Sequence, residues 1–259
     1  MDILDTIIEN KKREVAKAKT LRSVAGIKEE KYFGRKTYSL KNTLQSQSGI
    51  IAEYKRKSPS KGVINHHSHC KEVVLSYQKY GASAVSILTD PHFFGGNTED
   101  ILDVRDSLIL PILRKDFMID EYQFFQSKAM GADIVLLIAS CLSPVQVAEF
   151  TSLAHELGLE VLLEIHSEEE LAHLDKNVDF VGINNRNLGN FKVDLRHSAD
   201  LKNKLPKDVL CIAESGICST DDFLFLKEKG FDGFLMGEYF MGSEDPKQKF
   251  KEFIENLGI

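Results

Sequence analysis

The stretch Gly131-Ala-Asp-Ile-Val-Leu-Leu-Ile, residues 131–138, places a glycine between a segment of helical length and a short apolar run. Glycine takes the left-handed conformation that ends a helix at little cost. A bounded apolar run rich in β-branched residues is typical of a buried strand. The same arrangement recurs at Gly81, Gly158 and Gly230. The pattern therefore predicts a repeating unit made of a helix, a glycine and a strand.

Eight apolar runs of strand length follow residue 48 and are separated by segments of helical length. They are residues 49–54, 84–88, 110–114, 134–138, 160–164, 180–183, 209–213 and 233–236. Strands that alternate with helices form parallel sheets. The pattern predicts an α/β fold, specifically a closed (β/α)8 TIM barrel. The alternative is an open doubly wound sheet, but no Gly-x-Gly-x-x-Gly motif follows an early strand.

The first 46 residues have a different pattern from the rest of the chain. Residues 1–20 carry apolar side chains at the i, i+3, i+4 spacing of an amphipathic helix, including Ile3, Leu4, Ile7 and Val15. We therefore predict one domain spanning residues 1–259, with residues 1–46 as a helical N-terminal extension of the barrel.

The composition is that of an ordinary globular protein, with 42% apolar and 28% charged residues and a net charge of −6. No basic run is interleaved with aromatics, so we expect no nucleic-acid binding. No apolar segment reaches the roughly 20 residues of a membrane span, and none resembles a secretory signal. Four scattered cysteines fit a reducing compartment. We expect a cytoplasmic monomer or weak homodimer that binds no membrane.

The active site of a (β/α)8 barrel lies at the C-terminal ends of its strands. Most of the predicted strands end in polar residues, among them Glu53, Lys55, Asp90, Lys115, Glu164, Asn184, Asn185, Glu214 and Glu238. Any one of these could simply begin a solvated loop, and Glu53 with Lys55 could be a weak surface ion pair. Their shared position instead favours one polar mouth. There, burial and mutual pairing would perturb pKa values and suit proton transfer by Lys55, Lys115 and Glu164.

Two further features concern ligands. Ser215, Gly216 and Gly237 follow the last two strands, where this fold usually binds phosphate, which favours a phosphorylated substrate. His66, His67, His69 and Cys70 form a tract that could hold a metal, but no second ligand pair lies at a plausible spacing, so we predict no metal site.

Six blocks in order resemble the indole-3-glycerol-phosphate synthase family, and the likeness covers nearly the whole chain. They are Ile51-Ala-Glu-Tyr-Lys-Arg-Lys-Ser-Pro-Ser-Lys-Gly, Leu110-Pro-Ile-Leu-Arg-Lys-Asp-Phe, Gly131-Ala-Asp-Ile-Val-Leu-Leu-Ile, Leu163-Glu-Ile-His, Gly182-Ile-Asn-Asn-Arg-Asn-Leu and Ala213-Glu-Ser-Gly-Ile. The resemblance implies conversion of 1-(2-carboxyphenylamino)-1-deoxyribulose 5-phosphate to indole-3-glycerol phosphate in tryptophan biosynthesis. It also implies loss of carbon dioxide and water, with no metal and no organic cofactor.

The resemblance also implies roles for individual residues. Lys115 matches the general acid, Glu164 the general base, and Lys55 the lysine that holds the anthranilate carboxylate, with Glu53 and Asn184 around the reacting hydroxyls. The implied substrate contacts are Ser58, Arg186, Phe93, Phe117, Leu136, Leu188 and Glu214. The implied phosphate contacts are Ser215, Gly216, Gly237 and Glu238. Glu238 stands where some members have serine, so its carboxylate is expected to turn to solvent while its backbone N–H binds phosphate.

Two alternatives remain at this point. A different phosphate-binding barrel enzyme, such as a sugar-phosphate isomerase or an aldolase, would need no apolar slot at Phe93 and Phe117. A catalytically silent barrel acting as a scaffold predicts losses among Lys55, Lys115 and Glu164, yet all three are present.

Overall fold

Eight parallel strands close into a barrel in the computed structural model, which describes residues 3–186 and 192–258. The barrel strands are β1 (Ile50–Tyr54), β4 (Ala84–Leu88), β5 (Ile112–Lys115), β6 (Ile134–Ile138), β7 (Glu160–Ile165), β8 (Phe180–Asn184), β9 (Leu210–Glu214) and β10 (Gly233–Met236). Strand β1 closes the ring because Ile51 pairs with Ala84 on one side and with Leu235 on the other. The predicted (β/α)8 TIM barrel is confirmed.

Helices alternate with these strands along the chain. They are α4 (Cys70–Lys79), α5 (Pro91–Phe94), α6 (Glu99–Arg105), α7 (Tyr122–Met130), α8 (Pro144–Glu156), α9 (Leu195–Lys202), α10 (Thr220–Glu228), α11 (Glu238–Met241) and α12 (Pro246–Leu257). Two 3-10 helices, Ala139–Cys141 and Glu169–His173, lie in the connections after β6 and β7. Gly131 ends α7 in the left-handed conformation with φ of 95°, as the repeating unit predicts.

A small hairpin follows β1 and was not expected from the sequence. Strands β2 (Lys57–Ser58) and β3 (Gly62–Val63) pair antiparallel in the loop between β1 and α4. Two-residue strands are too short to show a period-2 pattern, so the sequence carried no signal for them. The hairpin brings Ser58 and its neighbours over the barrel mouth.

The N-terminal extension contains α1 (Ile3–Leu21), α2 (Val24–Lys28) and α3 (Leu40–Ser46). At the bottom of the barrel, Leu40 is fully buried among the side chains that fill the interior. The Glu160 carboxylate, at the start of β7, accepts hydrogen bonds from Ser39 Oγ at 2.6 Å and from the Leu40 N–H at 2.8 Å. The start of α3 therefore closes the lower end of the barrel.

Helix α1 lies at the opposite end, against the barrel mouth. Its Lys11 is buried, with Nζ 3.0 Å from Asp90 Oδ2, 2.8 Å from Asp116 Oδ1 and 2.7 Å from Glu14 Oε2. Asp90 follows β4 and Asp116 follows β5, so one ammonium joins the extension to two neighbouring loops. Contacts at both ends support our proposal that residues 1–259 form one domain.

Replacing Lys11 should destabilise the protein strongly, because buried Asp90 would lose its cation and buried Asp116 would keep only Arg114. For Lys11→Met we expect a loss of about 3–5 kcal/mol of unfolding free energy, measured by urea denaturation. Lys12→Met is the matched control, since Lys12 pairs with Glu9 on the exposed face of the same helix. That exposed pair is screened by solvent, so its loss should change the unfolding free energy much less than the loss of Lys11. Equal losses in the two variants would contradict a special role for the buried pair.

The same contacts predict that the stability of the protein falls at low pH. Burial raises the pKa of Asp116, but Arg114 and Lys11 outweigh it and lower the pKa to about 2. A carboxyl group with a depressed pKa stabilises the fold above its unfolded value, about 3.9, and this contribution is lost as the pH falls through about 2. Urea midpoints measured from pH 6 to pH 2 should fall over this window. In Asp116→Asn, the fall in urea midpoint that comes from Asp116 should be missing. A pH profile identical to that of the wild type would contradict this role of Asp116.

Candidate active site

A cavity of about 540 Å³ opens at the C-terminal ends of the barrel strands. It gathers side chains that are far apart in the chain, and most residues of the sequence prediction line it. Those lining residues are Glu53, Lys55, Ser58, Lys115, Phe117, Leu136, Glu164, Asn184, Arg186, Glu214, Ser215, Gly216, Gly237 and Glu238. The expected convergence of the strand ends on one mouth is therefore observed.

Among the predicted residues that the structure describes, Phe93 does not line the cavity. Leu188 lies outside the described residues. Phe93 follows the N-cap Asp90 of α5 and packs edge-on against His92, with ring centroids 4.7 Å apart. The cavity is lined by the next residue, Phe94, whose ring lies 6.0 Å from that of Phe117. Consecutive helical residues point about 100° apart, so only one of the two phenylalanines can face the cavity.

Lys115 lies at the centre of the charged part of the site, at the end of β5. Its Nζ is 2.6 Å from Glu164 Oε2 and 3.2 Å from Glu214 Oε2. Asn184 Nδ2 donates to the other oxygen of Glu164, Oε1, at 2.9 Å. Strands β5, β7, β8 and β9 therefore hold these side chains in one network. Direct contacts between the side chains fix their orientations.

Glu53 and Lys55 form a second charged group at the end of β1. Lys55 Nζ donates to Glu53 Oε1 at 2.6 Å, and Ser86 Oγ donates to Glu53 Oε2 at 3.3 Å. Only about 4% of the Glu53 side chain is exposed, against 17% for Lys55. The sequence allowed Glu53 and Lys55 to be a weak surface ion pair. In the structure the Glu53 carboxylate is instead buried and paired inside the barrel.

The pKa values of the central network are strongly perturbed. Burial lowers the pKa of Lys115, but the carboxylates of Glu164 and Glu214 outweigh it and raise the pKa overall. Burial raises the pKa of Glu164, while Lys115 and His166 outweigh it and hold the pKa well below its usual range. Such groups suit proton transfer once a substrate separates the pair.

Glu214 behaves differently from Glu164, although both contact Lys115. Burial, helped by the nearby carboxylates of Glu164 and Glu53, raises the pKa of Glu214 to about 8 despite the attraction of Lys115. Its Oε1 is buried and has no hydrogen-bond partner among the described residues. Glu214 can therefore carry a proton near neutral pH and donate a hydrogen bond to a ligand.

Two glycines provide the space that two of these carboxylates occupy. A Cβ atom on Gly182 would lie 2.0 Å from Glu214 Oε1, and one on Gly237 would lie 2.5 Å from Glu53 Oε1. No side chain can be accommodated at such distances without moving the carboxylates. Gly182 lies in β8, and its packing role could not be read from the sequence.

Apolar side chains form another part of the cavity lining, the apolar wall. It includes Phe94, Phe117, Leu136 from β6, and Leu4 and Ile7 of α1. The sequence marked α1 as amphipathic but gave no sign that its apolar face would line the site. An apolar slot next to fixed charges suits a flat ligand with polar groups at its ends.

The loops after β9 and β10 form a third part of the site. Ser215 has φ of 66° and is the one non-glycine residue with positive φ in the described part of the chain, followed by Gly216 at 73°. Backbone strain of this kind is often found at binding sites. Arg186 Nη2 donates to Glu238 Oε2 at 2.9 Å, and Lys61 Nζ lies 3.5 Å from Glu238 Oε1. Two cations thus lie beside these loops, where an anion could bind.

Among residues 3–186 and 192–258, no group of three or more His, Cys, Asp or Glu side chains is arranged to hold a metal ion. The tract of His66, His67, His69 and Cys70 forms no such group. Over the same residues, no helix is long and apolar enough to cross a membrane.

Comparisons with known proteins agree with this geometry. A family model described as indole-3-glycerol phosphate synthase matches residues 4–253. The chain is 48% identical to the indole-3-glycerol phosphate synthase of Bacteroides thetaiotaomicron, covering 99% of both chains. It is 40% identical to that of Paracidovorax citrulli, covering 95% of this chain and 96% of the relative.

Solved structures show the same fold at much lower identity. Tryptophan synthase subunit alpha from Legionella pneumophila superposes with a TM-score of 0.63 at 14% identity, covering 84% of this chain and 96% of that chain. Thiamine phosphate pyrophosphorylase from Pyrococcus furiosus gives 0.58 at 17% identity, covering 85% and 99%. These likenesses support the barrel architecture alone.

Gly182→Ala should disturb the carboxylate network, because the added Cβ would overlap the Glu214 side chain. Overpacking of this kind costs about 1–3 kcal/mol, which urea denaturation would measure. Gly34→Ala is the control, since a Cβ there meets nothing within 4 Å. If both variants kept the unfolding free energy of the wild type, the packing role of Gly182 would be refuted.

Proposed function

The chain belongs to the indole-3-glycerol phosphate synthase family, and from this premise we propose which of its side chains carry out each step of the reaction. The protein is a carboxy-lyase of tryptophan biosynthesis that closes the indole ring of indole-3-glycerol phosphate. The family match rules out both alternative functions. These were a sugar-phosphate isomerase or aldolase and a catalytically silent scaffold. The observation that carries the residue assignments is the position of Lys115 between Glu164 and Glu214 beside an apolar slot.

Ring closure requires an acid at the carbonyl oxygen that the aromatic carbon attacks. We assign this acid to Lys115, whose ammonium gives its proton to that oxygen and becomes a neutral amine. Burial lowers the pKa of Lys115, but the carboxylates of Glu164 and Glu214 outweigh it and raise the pKa. A substrate oxygen that displaces a carboxylate from Nζ would weaken this stabilisation and make the lysine a better acid.

The later steps require a base and a group that holds the substrate carboxylate. We assign the base to Glu164, whose depressed pKa keeps it ionised at neutral pH. Lys55 is assigned to the anthranilate carboxylate, because its ammonium faces the cavity and is tethered by Glu53 alone in the described contacts. Asn184, through its bond to Glu164 Oε1, is assigned to the orientation of the base.

The substrate's two ends are assigned to different parts of the cavity. Phe117 and Leu136, with Phe94 in place of Phe93, would contact the aromatic ring, while Ser58 and Glu214 would contact polar groups. Ser215, Gly216, Gly237 and the backbone N–H of Glu238 would bind the phosphate, with Arg186 as its cation. The strained backbone at Ser215 and the two nearby cations support this placement.

We also propose that the protein is a cytoplasmic monomer or weak homodimer. Its four cysteines are free, which suits a reducing compartment. The large apolar side chains exposed in the described ranges are scattered, namely Leu21, Tyr38, Val63, Ile109, Val145, Val193 and Leu224. Sedimentation equilibrium would test the oligomeric state, and a tight dimer at low concentration would contradict the proposal.

The assigned roles predict that Lys115→Ala and Glu164→Gln each lower turnover by about 10²–10⁴-fold, the usual contribution of a positioned acid or base. The measurement is incubation of purified protein with 1-(2-carboxyphenylamino)-1-deoxyribulose 5-phosphate, followed by indole fluorescence. Lys12→Ala, on the exposed face of α1, is the control and should keep full activity. Wild-type rates in Lys115→Ala would refute the acid role, whereas an inactive wild type would refute the activity itself.

We expect a substitution of Glu238 to change substrate binding rather than turnover. Its carboxylate neutralises Arg186 and lies near Lys61, so it competes with the substrate phosphate for both cations. Because the Glu238 side chain is about one-third exposed, Glu238→Gln should lower KM by only about threefold at low salt. The control is Glu244→Gln on the exposed loop before α12. A raised KM would mean that Glu238 instead holds Arg186 in its binding position.

A further inference from the structure

His166 is a buried titratable residue next to the assigned base, and none of the roles above uses it. It follows β7 directly and does not line the cavity. Its Nε2 lies 3.2 Å from Glu164 Oε1, and its Nδ1 lies 3.5 Å from Glu170 Oε2. Glu170 belongs to the 3-10 helix Glu169–His173, and its Oε2 also accepts a hydrogen bond from the His166 N–H at 2.5 Å.

The arrangement of the two carboxylates determines the charge of the imidazole. Both ring nitrogens are buried, and each faces a carboxylate without a well-aligned hydrogen bond. A neutral imidazole has one N–H and one lone pair, so it would direct the lone pair at one of the carboxylates. Only the doubly protonated ring presents a positive N–H to both. Geometry alone therefore favours an imidazolium between Glu164 and Glu170.

The surrounding groups agree with this charge state. Burial lowers the pKa of His166, but its pairing with Glu164 and Glu170 outweighs burial and raises the pKa to about 10. The other titratable groups nearby are Lys115, which contacts Glu164 Oε2, Cys141, His173 beside Glu170, and His197, whose Nε2 lies 3.4 Å from the His166 carbonyl oxygen. Burial and the same two carboxylates keep the Cys141 thiol neutral by raising its pKa to about 12.

We propose that His166 is a positioning residue that keeps Glu164 ionised and correctly oriented while Lys115 is without its proton. This role rests on the functions proposed for Lys115 and Glu164. When Lys115 has given its proton to the substrate oxygen, the lysine is neutral and Glu164 loses its strongest cationic partner. The imidazolium remains, and Glu170 balances its charge from the far side. Glu164 can then still accept the proton that must be removed later.

The test compares His166→Gln with the wild type in the indole fluorescence assay. Glutamine can keep an N–H near Glu164 but carries no charge. We expect kcat to fall about tenfold, the usual size for loss of one charge-assisted contact, with KM within about twofold. Removing a neighbouring cation raises the pKa of a carboxyl group, so the acid limb of the kcat profile should move up by about one pH unit. Glu170→Gln removes a carboxylate rather than a cation, so the acid limb of this variant should not move up.

The control is His155→Gln, which removes a histidine–aspartate pair with Asp179 at the protein surface. It should leave both kcat and the pH profile unchanged. A purely structural His166 would lower the melting temperature of His166→Gln but leave kcat and the acid limb of the folded variant at wild-type values, and that result would overturn the proposal. Full turnover in Glu164→Gln would instead refute the base assignment on which the proposal rests.

A second measurement applies even if His166→Gln does not fold. Nitrogen-15 NMR of histidine-labelled wild-type protein at pH 8 should show one ring with both nitrogens protonated. An unperturbed histidine, with a pKa near 6.5, would be neutral at this pH. As the pH is raised, this ring should lose its second proton at a lower pH in Glu170→Gln than in the wild type. If every histidine were neutral at pH 8, the proposal would be overturned.

Discussion

The charge network around Lys115 is the interaction on which the site depends. One ammonium group lies within 3.2 Å of two carboxylates on different strands, and all three side chains are largely buried. Removing Lys115 or Glu164 would leave the other group as an uncompensated buried charge, which costs several kcal/mol. The barrel meets this requirement by placing opposite charges at the ends of the alternate strands β5, β7 and β9, so that each group is held by the others before substrate binds.

Because so many charges are buried together, the two carboxyl groups beside Lys115 have different pKa values. Glu164 is also paired with Asn184 and His166, and its pKa is lowered. Burial is the main cause of the raised pKa of Glu214, and repulsion by the carboxylates of Glu164 and Glu53 adds to it. Two glutamates next to one lysine can therefore act as an ionised base and a hydrogen-bond donor at the same pH.

The N-terminal extension connects the two ends of the barrel. At the bottom, Leu40 fills the interior and Glu160 caps the start of α3. At the mouth, Lys11 joins α1 to the loops that carry Asp90 and Asp116, next to Lys115. The same helix supplies part of the apolar wall through Ile7. The extension therefore contributes both to stability and to the shape of the site.

The sequence by itself determined the barrel, the family and most of the polar residues at the mouth. Strand ends can be read from local patterns, and parallel strands in a closed ring must direct those ends to one side. It did not determine which of Phe93 and Phe94 faces the cavity, nor the space that Gly182 leaves for Glu214, nor the contact of His166 with two carboxylates. These depend on side-chain direction and on distances between residues remote in the chain, and only the tertiary structure fixes both.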